Sequence, residues 1–257
     1  MINQRIVGAG TCRIVVVPGG PGLTAEFYRE LVDGLAANNE VITYEQRGSV
    51  PVDSDEYPRS LEGYAQELGA LLGELPESDG RTILLGHSFG GAVVIEAAIS
   101  GGATPDGLLL LNAFDSASML RRGVQARRES LPSSFQEAYR SIDPMTLESL
   151  LPLLAEYFYP KHFCRLESWP PSLTEDLGRM NLGLARHYLG RDLFELDGAV
   201  SGWDRSADLA EIRIPTLIAS GKHDYYRTDD LHRMTNALPQ GELWIGESAS
   251  HTPWLEE

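Results

Sequence analysis

The chain has 257 residues, 42% hydrophobic and 23% charged, with a formal net charge of −16 at pH 7. That length suits one large α/β domain carrying an inserted subdomain, and the composition is ordinary for a soluble globular protein. The acidic balance argues against a nucleic-acid or anionic-membrane partner, since both require a basic face. No apolar signal-peptide core follows the start and no stretch approaches the length of a membrane span, so a cytoplasmic location is expected. Cys12 and Cys164 are the only cysteines. Neither has metal or redox spacing, so two reduced thiols, no metal and no cofactor are expected.

Residues 4–9 and 12–17 read as strands around Gly10, the second (Cys12-Arg13-Ile14-Val15-Val16-Val17) apolar enough for a sheet buried on both faces. It runs into Pro18-Gly19-Gly20-Pro21-Gly22, a rigid loop at the strand's C-terminal end, the edge where open parallel sheets bind ligands. Thr24 is placed to cap a helix with Phe27, Leu31 and Leu35 on one face. A strand over 40–44 and the loop Glu45-Gln46-Arg47-Gly48 follow, then a helix capped by Ser60 with the stripe Leu61, Tyr64, Leu68, Leu71 and Leu75.

Residues 83–92 organise the rest. The apolar run Ile83-Leu84-Leu85 enters Gly86-His87-Ser88-Phe89-Gly90-Gly91, and a small-residue apolar segment leaves it. This is the strand–turn–helix context of a nucleophile elbow, with glycines where a Cβ would collide with the turn. Another strand is read over 108–113, so strands alternate with helices as in a mostly parallel sheet. From about 115 to 205 no strand is clear; amphipathic helical stretches, prolines and aromatic clusters indicate an inserted helical cap. The sheet resumes over 212–221. Thr228 is read as the cap of a helix with Asp229 and Asp230 in its first turn and Leu231, Met234 and Leu238 facing inward. A last strand over 242–245 precedes Ser250-His251.

A serine needs a base that is itself oriented by an acid, and on this architecture the chain order is Ser, Asp or Glu, His. Asp224 lies just beyond a buried strand and His251 beyond the last one, so both should reach the edge that carries Ser88. Ser88 is assigned as nucleophile, His251 as base and then acid, and Asp224 as the orienting carboxylate. Phe89 N–H and Gly20 N–H are the expected oxyanion donors, each worth roughly 3 kcal/mol in the transition state. His87 is expected to turn away from Ser88, His223 to pack or lie at the surface, and His162, His187 and His232 to be structural. An epoxide hydrolase or dehalogenase is disfavoured, because those enzymes place Asp where Ser88 stands. A silent binding protein on the same scaffold need not retain all three triad residues.

These motifs, together with Cys164-Arg165-Leu166-Glu167-Ser168-Trp169-Pro170, Gly202-Trp203-Asp204, Thr216-Leu217-Ile218 and Ser250-His251, stand in the order seen in proline iminopeptidases. The tricorn-interacting aminopeptidase is similar too. The resemblance spans nearly the whole chain. It implies an α/β-hydrolase fold, a mostly parallel sheet flanked by helices, with the core over 1–114 and 206–257 and a helical cap over 115–205 closing on Ser88. It also implies release of an N-terminal residue, often proline, from a small-molecule or short-peptide substrate, and Leu193, Tyr225 and Trp169 as substrate-contacting residues.

The chain departs from that pattern at several places. Pro18 stands where the family's glycine loop usually begins with His. Tyr225 and Leu193 stand where two glutamates bind the substrate's ammonium, and only a shift in register would let Asp192 or Glu195 compensate. An ammonium left unpaired beside Leu and Tyr would cost several kcal/mol. The expected acyl group is therefore neutral or aromatic, in an amide, ester or thioester. An acceptor other than water would make the same triad an acyltransferase or cyclase. The sequence given ends six residues after His251, where the family adds a helix, so a flank of the sheet is expected to be uncovered or covered by a second subunit.

Overall fold

The computed structural model describes residues 3–49, 57–78 and 80–257. Its strands are β1 (Gln4–Val7), β2 (Cys12–Val17), β3 (Glu40–Tyr44), β4 (Arg81–His87), β5 (Gly107–Leu111), β6 (Thr216–Gly221) and β7 (Gly241–Gly246). They form one sheet in the order β1-β3-β2-β4-β5-β6-β7. β1 pairs antiparallel with β3, and every other pairing is parallel. The C-terminal ends of β2, β4, β5, β6 and β7 therefore share one rim. Val15, Val16 and Val17 of β2 are completely buried, as a central parallel strand requires.

The helices ahead of β5 are α1 (Arg29–Ala36), α2 (Leu61–Glu74) and α3 (Phe89–Ser100). Thr24 caps a short 3-10 turn over Ala25–Tyr28, where a longer helix was expected, and α1 starts only at Arg29. Ser60 caps α2 as read, its hydroxyl accepting from Gly63 N at 3.3 Å. Between β5 and β6 lie α4 (Ala117–Glu129), α5 (Ser133–Arg140), α6 (Leu147–Leu153), α7 (Tyr159–His162), α8 (Pro171–Arg179) and α9 (Leu182–Leu189). A π-helical turn, Leu154–Phe158, joins α6 to α7. The chain enters and leaves this helical segment side by side: Ala117 N donates to Trp203 O (2.9 Å) and Arg205 N to Asp115 O (2.8 Å).

β6 begins at Thr216 instead of 212 because Pro215 has no N–H to give a ladder; its carbonyl instead accepts from Leu108 N at 2.9 Å. α10 (Thr228–Ala237) differs from the reading in its cap. Thr228 is its first helical residue, and the cap position is held by Arg227, whose side chain makes no capping bond. Asp229 and Asp230 do occupy the first turn, favourable to the helix dipole. α11 (Pro253–Glu256) folds back over the loop after β7, its Glu256 accepting from Ser250 N (2.9 Å) and Arg165 N (2.8 Å). On the β6–β7 flank, Leu217 and Trp244 are exposed. No helix among the described residues is long and apolar enough to cross a membrane. Both cysteines are free thiols.

Candidate active site

Ser88 sits at the β4–α3 junction with φ 54° and ψ −118°, a backbone conformation that a residue bearing a Cβ reaches only under strain. The surroundings enforce it. Ser88 N donates to Leu111 O at 2.9 Å and Ser88 O accepts from Gly91 N at 2.9 Å. A Cβ on Gly90 would lie 2.1 Å from Val17 O, and one on Gly86 2.6 Å from Gly90 O. Both glycines are thus dictated by close backbone approach, as the motif implies. Phe89 N is the first amide of α3 and has no partner within the helix. Gly20, at φ 110°, comes to the same cavity from the loop after β2. Among the described residues, neither Phe89 N nor Gly20 N donates to another protein group, which leaves both amides available to an anionic oxygen.

Asp224 follows β6 and His251 follows β7, and His251 Nδ1 is 2.6 Å from Asp224 Oδ1. The carboxylate is fully buried. Oδ1 also accepts from Tyr225 N (2.6 Å), while Oδ2 accepts from Asn112 Nδ2 (2.7 Å) and Ser220 Oγ (2.8 Å). Four donors thus converge on one carboxylate. The proton on His251 must sit on Nδ1, leaving Nε2 as the free base. Tyr225 stacks on the imidazole, centroids 4.1 Å apart and 18° between planes. His251 and Ser88 line the same cavity. Burial, reinforced by the nearby Asp224 carboxylate, raises the pKa of the Tyr226 phenol well above its ordinary value, and its buried hydroxyl has no hydrogen-bond partner among the described residues.

The cavity has a volume of about 80 Å³. The helical segment supplies most of its wall: Leu147 and Leu151 of α6, Leu154, Leu177 of α8, Leu189 of α9, and Leu193. Leu193 and Tyr225 are on that wall; among the described residues no carboxylate is. Asp192 and Glu195 point elsewhere. Asp192 accepts from Phe194 N (2.8 Å) and the Tyr139 hydroxyl, and Glu195 pairs with Arg128 at 3.4 Å. Trp169, expected to contact substrate, is not on the wall. Its indole N–H donates to Cys164 O (3.1 Å) and its ring packs on Phe163, which does line the cavity.

The remaining histidines fall into separate roles. His87, expected to turn away from Ser88, lines the cavity with both ring nitrogens engaged by other groups, Nδ1 2.9 Å from Tyr28 OH and Nε2 2.9 Å from His251 O. Burial lowers its pKa well below the usual value for histidine. His162 donates from Nδ1 to His223 O at 2.8 Å, and burial lowers its pKa to about 4. Burial raises the pKa of the Cys164 thiol, which disfavours the thiolate. Among the described residues no group of three His, Cys, Asp or Glu side chains could hold a metal ion.

The depressed histidine has a consequence for stability. Unfolded, a histidine protonates near pH 6.5, whereas folded His162 resists protonation to about 4. Between those values the unfolded state binds more protons, so stability is full above about pH 6.5 and is lost as the pH falls through the window. The share due to His162 at pH 5 is on the order of 1 kcal/mol. Urea unfolding midpoints at pH 7 and pH 5 check this: the drop should be smaller in His162→Gln than in the wild type.

A mostly parallel sheet with a strained serine on a strand–helix elbow, and a His–Asp pair brought to the same rim, is the architecture of the α/β-hydrolase class. The sequence profile of the alpha/beta hydrolase family matches residues 14–257, and the chain belongs to that family. It is similar over most of its length to the proline iminopeptidase of Thermoplasma volcanium, 24% identical across 95% of this chain and 84% of that one. A putative carbamate hydrolase of Azorhizobium caulinodans is 27% identical across 87% of this chain and 77% of the relative. Among solved structures, the proline iminopeptidase of Mycobacterium smegmatis superposes with a TM-score of 0.85 at 21% identity, covering 98% of this chain and 88% of that one. The protein is thus a hydrolase of this family, and the resemblance to proline iminopeptidases read from its motifs extends to whole-chain relatives.

Proposed function

We propose that the protein is a serine hydrolase that cleaves a small amide or ester through an acyl-enzyme on Ser88, with a neutral, largely apolar acyl group held against the cap. The observation that carries this reading is the strained Ser88 in one cavity with His251, whose Nδ1 lies 2.6 Å from the buried Asp224 carboxylate.

In the proposed cycle, Ser88 Oγ attacks the substrate carbonyl while His251 Nε2 takes its proton, and the oxygen that gains charge is met by Phe89 N–H and Gly20 N–H. Collapse expels the leaving group, protonated by His251. Water then enters, loses its proton to the same nitrogen and releases the acid, restoring Ser88. Asp224 fixes the tautomer throughout and stabilises the imidazolium. Acyl capture by an added amine or alcohol in place of water would make the enzyme a transferase on the same intermediate.

The absence of a carboxylate from the described wall supports an acyl group without a free α-ammonium, since burying that charge unpaired costs several kcal/mol. Leu193 and Tyr225 stand where a cationic substrate would need counter-charges. A panel of aminoacyl arylamides and esters, each with a free and an N-acylated amine, tests the reading. The N-acylated member of each pair should have the higher kcat/KM, by about 10²-fold. A consistent preference for the free amine would overturn this specificity.

A further inference from the structure

His87 precedes the candidate nucleophile, yet neither of its nitrogens is free for the reaction. Its Nε2 faces a backbone carbonyl, His251 O, at 2.9 Å. A carbonyl can only accept, so Nε2 carries the proton and the neutral ring presents a bare Nδ1. That nitrogen is 2.9 Å from Tyr28 OH, which must then donate to it. The phenol oxygen in turn accepts from Gly19 N at 2.6 Å. The directions are forced all the way along: Gly19 N–H to Tyr28 O–H, Tyr28 O–H to His87 Nδ1, His87 Nε2–H to His251 C=O.

One end of this chain is the residue before Gly20, the expected oxyanion donor; the other is the backbone of the expected base. The middle is the residue before Ser88. The parts are packed as well as bonded. Trp254 meets the His87 ring edge-on at 4.9 Å, the His251 ring lies 4.8 Å away, and Tyr28 and His87 are both buried. Gly19 has no room for a side chain here: a Cβ would lie 3.1 Å from both His87 Nδ1 and Tyr28 OH and 2.7 Å from His87 O.

Resting on the serine-hydrolase reading above, we propose that Tyr28 and His87 are positioning residues that hold the glycine loop and the catalytic histidine in register on either side of Ser88. Neither needs to touch the acyl group for this; they set where Gly20 N–H and His251 Nε2 stand when the tetrahedral intermediate forms. Losing the chain should therefore slow turnover while leaving binding against the leucine wall intact.

The test is steady-state kinetics on one ester substrate with Tyr28→Phe, His87→Leu, His87→Gln and the Tyr28→Phe/His87→Leu double variant, each checked by thermal unfolding. Titration with a phosphonofluoridate counts competent Ser88 in every sample. Tyr28→Phe and His87→Leu should each lower kcat by about 10- to 100-fold with KM within about twofold of wild type. His87→Gln, which keeps an N–H for His251 O, should recover most of the loss. The double variant should fall no further than the worse single, because both break one chain. Unchanged kcat in Tyr28→Phe, losses that multiply in the double variant, or a His87→Gln no better than His87→Leu would overturn the proposal. Should His87→Leu fail to fold, Tyr28→Phe and His87→Gln still decide it. A wild type that hydrolyses the ester without being labelled at Ser88 would instead sink the serine-hydrolase reading.

Discussion

Asp224→Asn is expected to lower kcat by about 10⁴-fold while the protein stays folded. Four donors point at this carboxylate: His251 Nδ1–H, Tyr225 N–H, Asn112 Nδ2–H and Ser220 O–H. An amide keeps the shape but replaces one acceptor oxygen with a donor NH₂. If that NH₂ faces Asn112 and Ser220, both donors lose their bond to residue 224, and Asn112 Nδ2 keeps its 3.0 Å contact with Ser250 O. If it faces His251, the imidazole must turn its proton to Nε2, the nitrogen that has to accept from Ser88. Either arrangement removes the negative charge that stabilises the imidazolium. The loss should appear in kcat with KM little changed, because Asp224 is not on the cavity wall. An unaltered kcat in a folded Asp224→Asn protein would mean that His251 is not the base.

Ser88→Ala should cost still more, about 10⁵- to 10⁶-fold in kcat, leaving only the rate that the oxyanion donors and substrate binding supply to a water molecule. The change is small in structural terms. Alanine keeps the Cβ at φ 54° and the bond from residue 88 N to Leu111 O, so the elbow persists and the folded fraction should match wild type by circular dichroism. Residual activity within a factor of about ten of wild type would show that the acyl group is not carried on this serine.

Much of this was legible in the residues alone. The elbow could be read because its geometry leaves glycine as the residue that fits at 86 and 90, where a Cβ would run into backbone oxygens. Asp224 and His251 could be read because strand ends in a parallel sheet share one edge, so order along the chain becomes proximity in space. What stayed hidden depends on which side a side chain faces. Leu147, Leu151, Leu177 and Leu189 sit on amphipathic stretches, but periodicity marks an apolar face without saying whether it meets the core or a cavity. Trp169 belongs to a motif that resembles the family's, yet it packs on Phe163 and does not line the cavity. Asn112 and Ser220 carry no motif; only the fold brings them, from β5's end and β6, to Asp224 Oδ2. Arg227 in place of Thr228 at the helix start is a one-residue shift of the kind that capping preferences cannot fix. That His87 reaches the Tyr28 hydroxyl and the His251 carbonyl was not legible, because its position beside Ser88 on a tight turn does not say which neighbours its ring will meet.

The account stands or falls on a covalent intermediate at one oxygen. Intact-protein and peptide mass spectrometry after phosphonofluoridate treatment measures it directly, on wild type and on Ser88→Ala. The expected result is one adduct per chain, mapped to Ser88, with esterase activity lost in proportion to labelling and no adduct in Ser88→Ala. An active wild type that takes up no label, or one whose label maps to another residue, would contradict it.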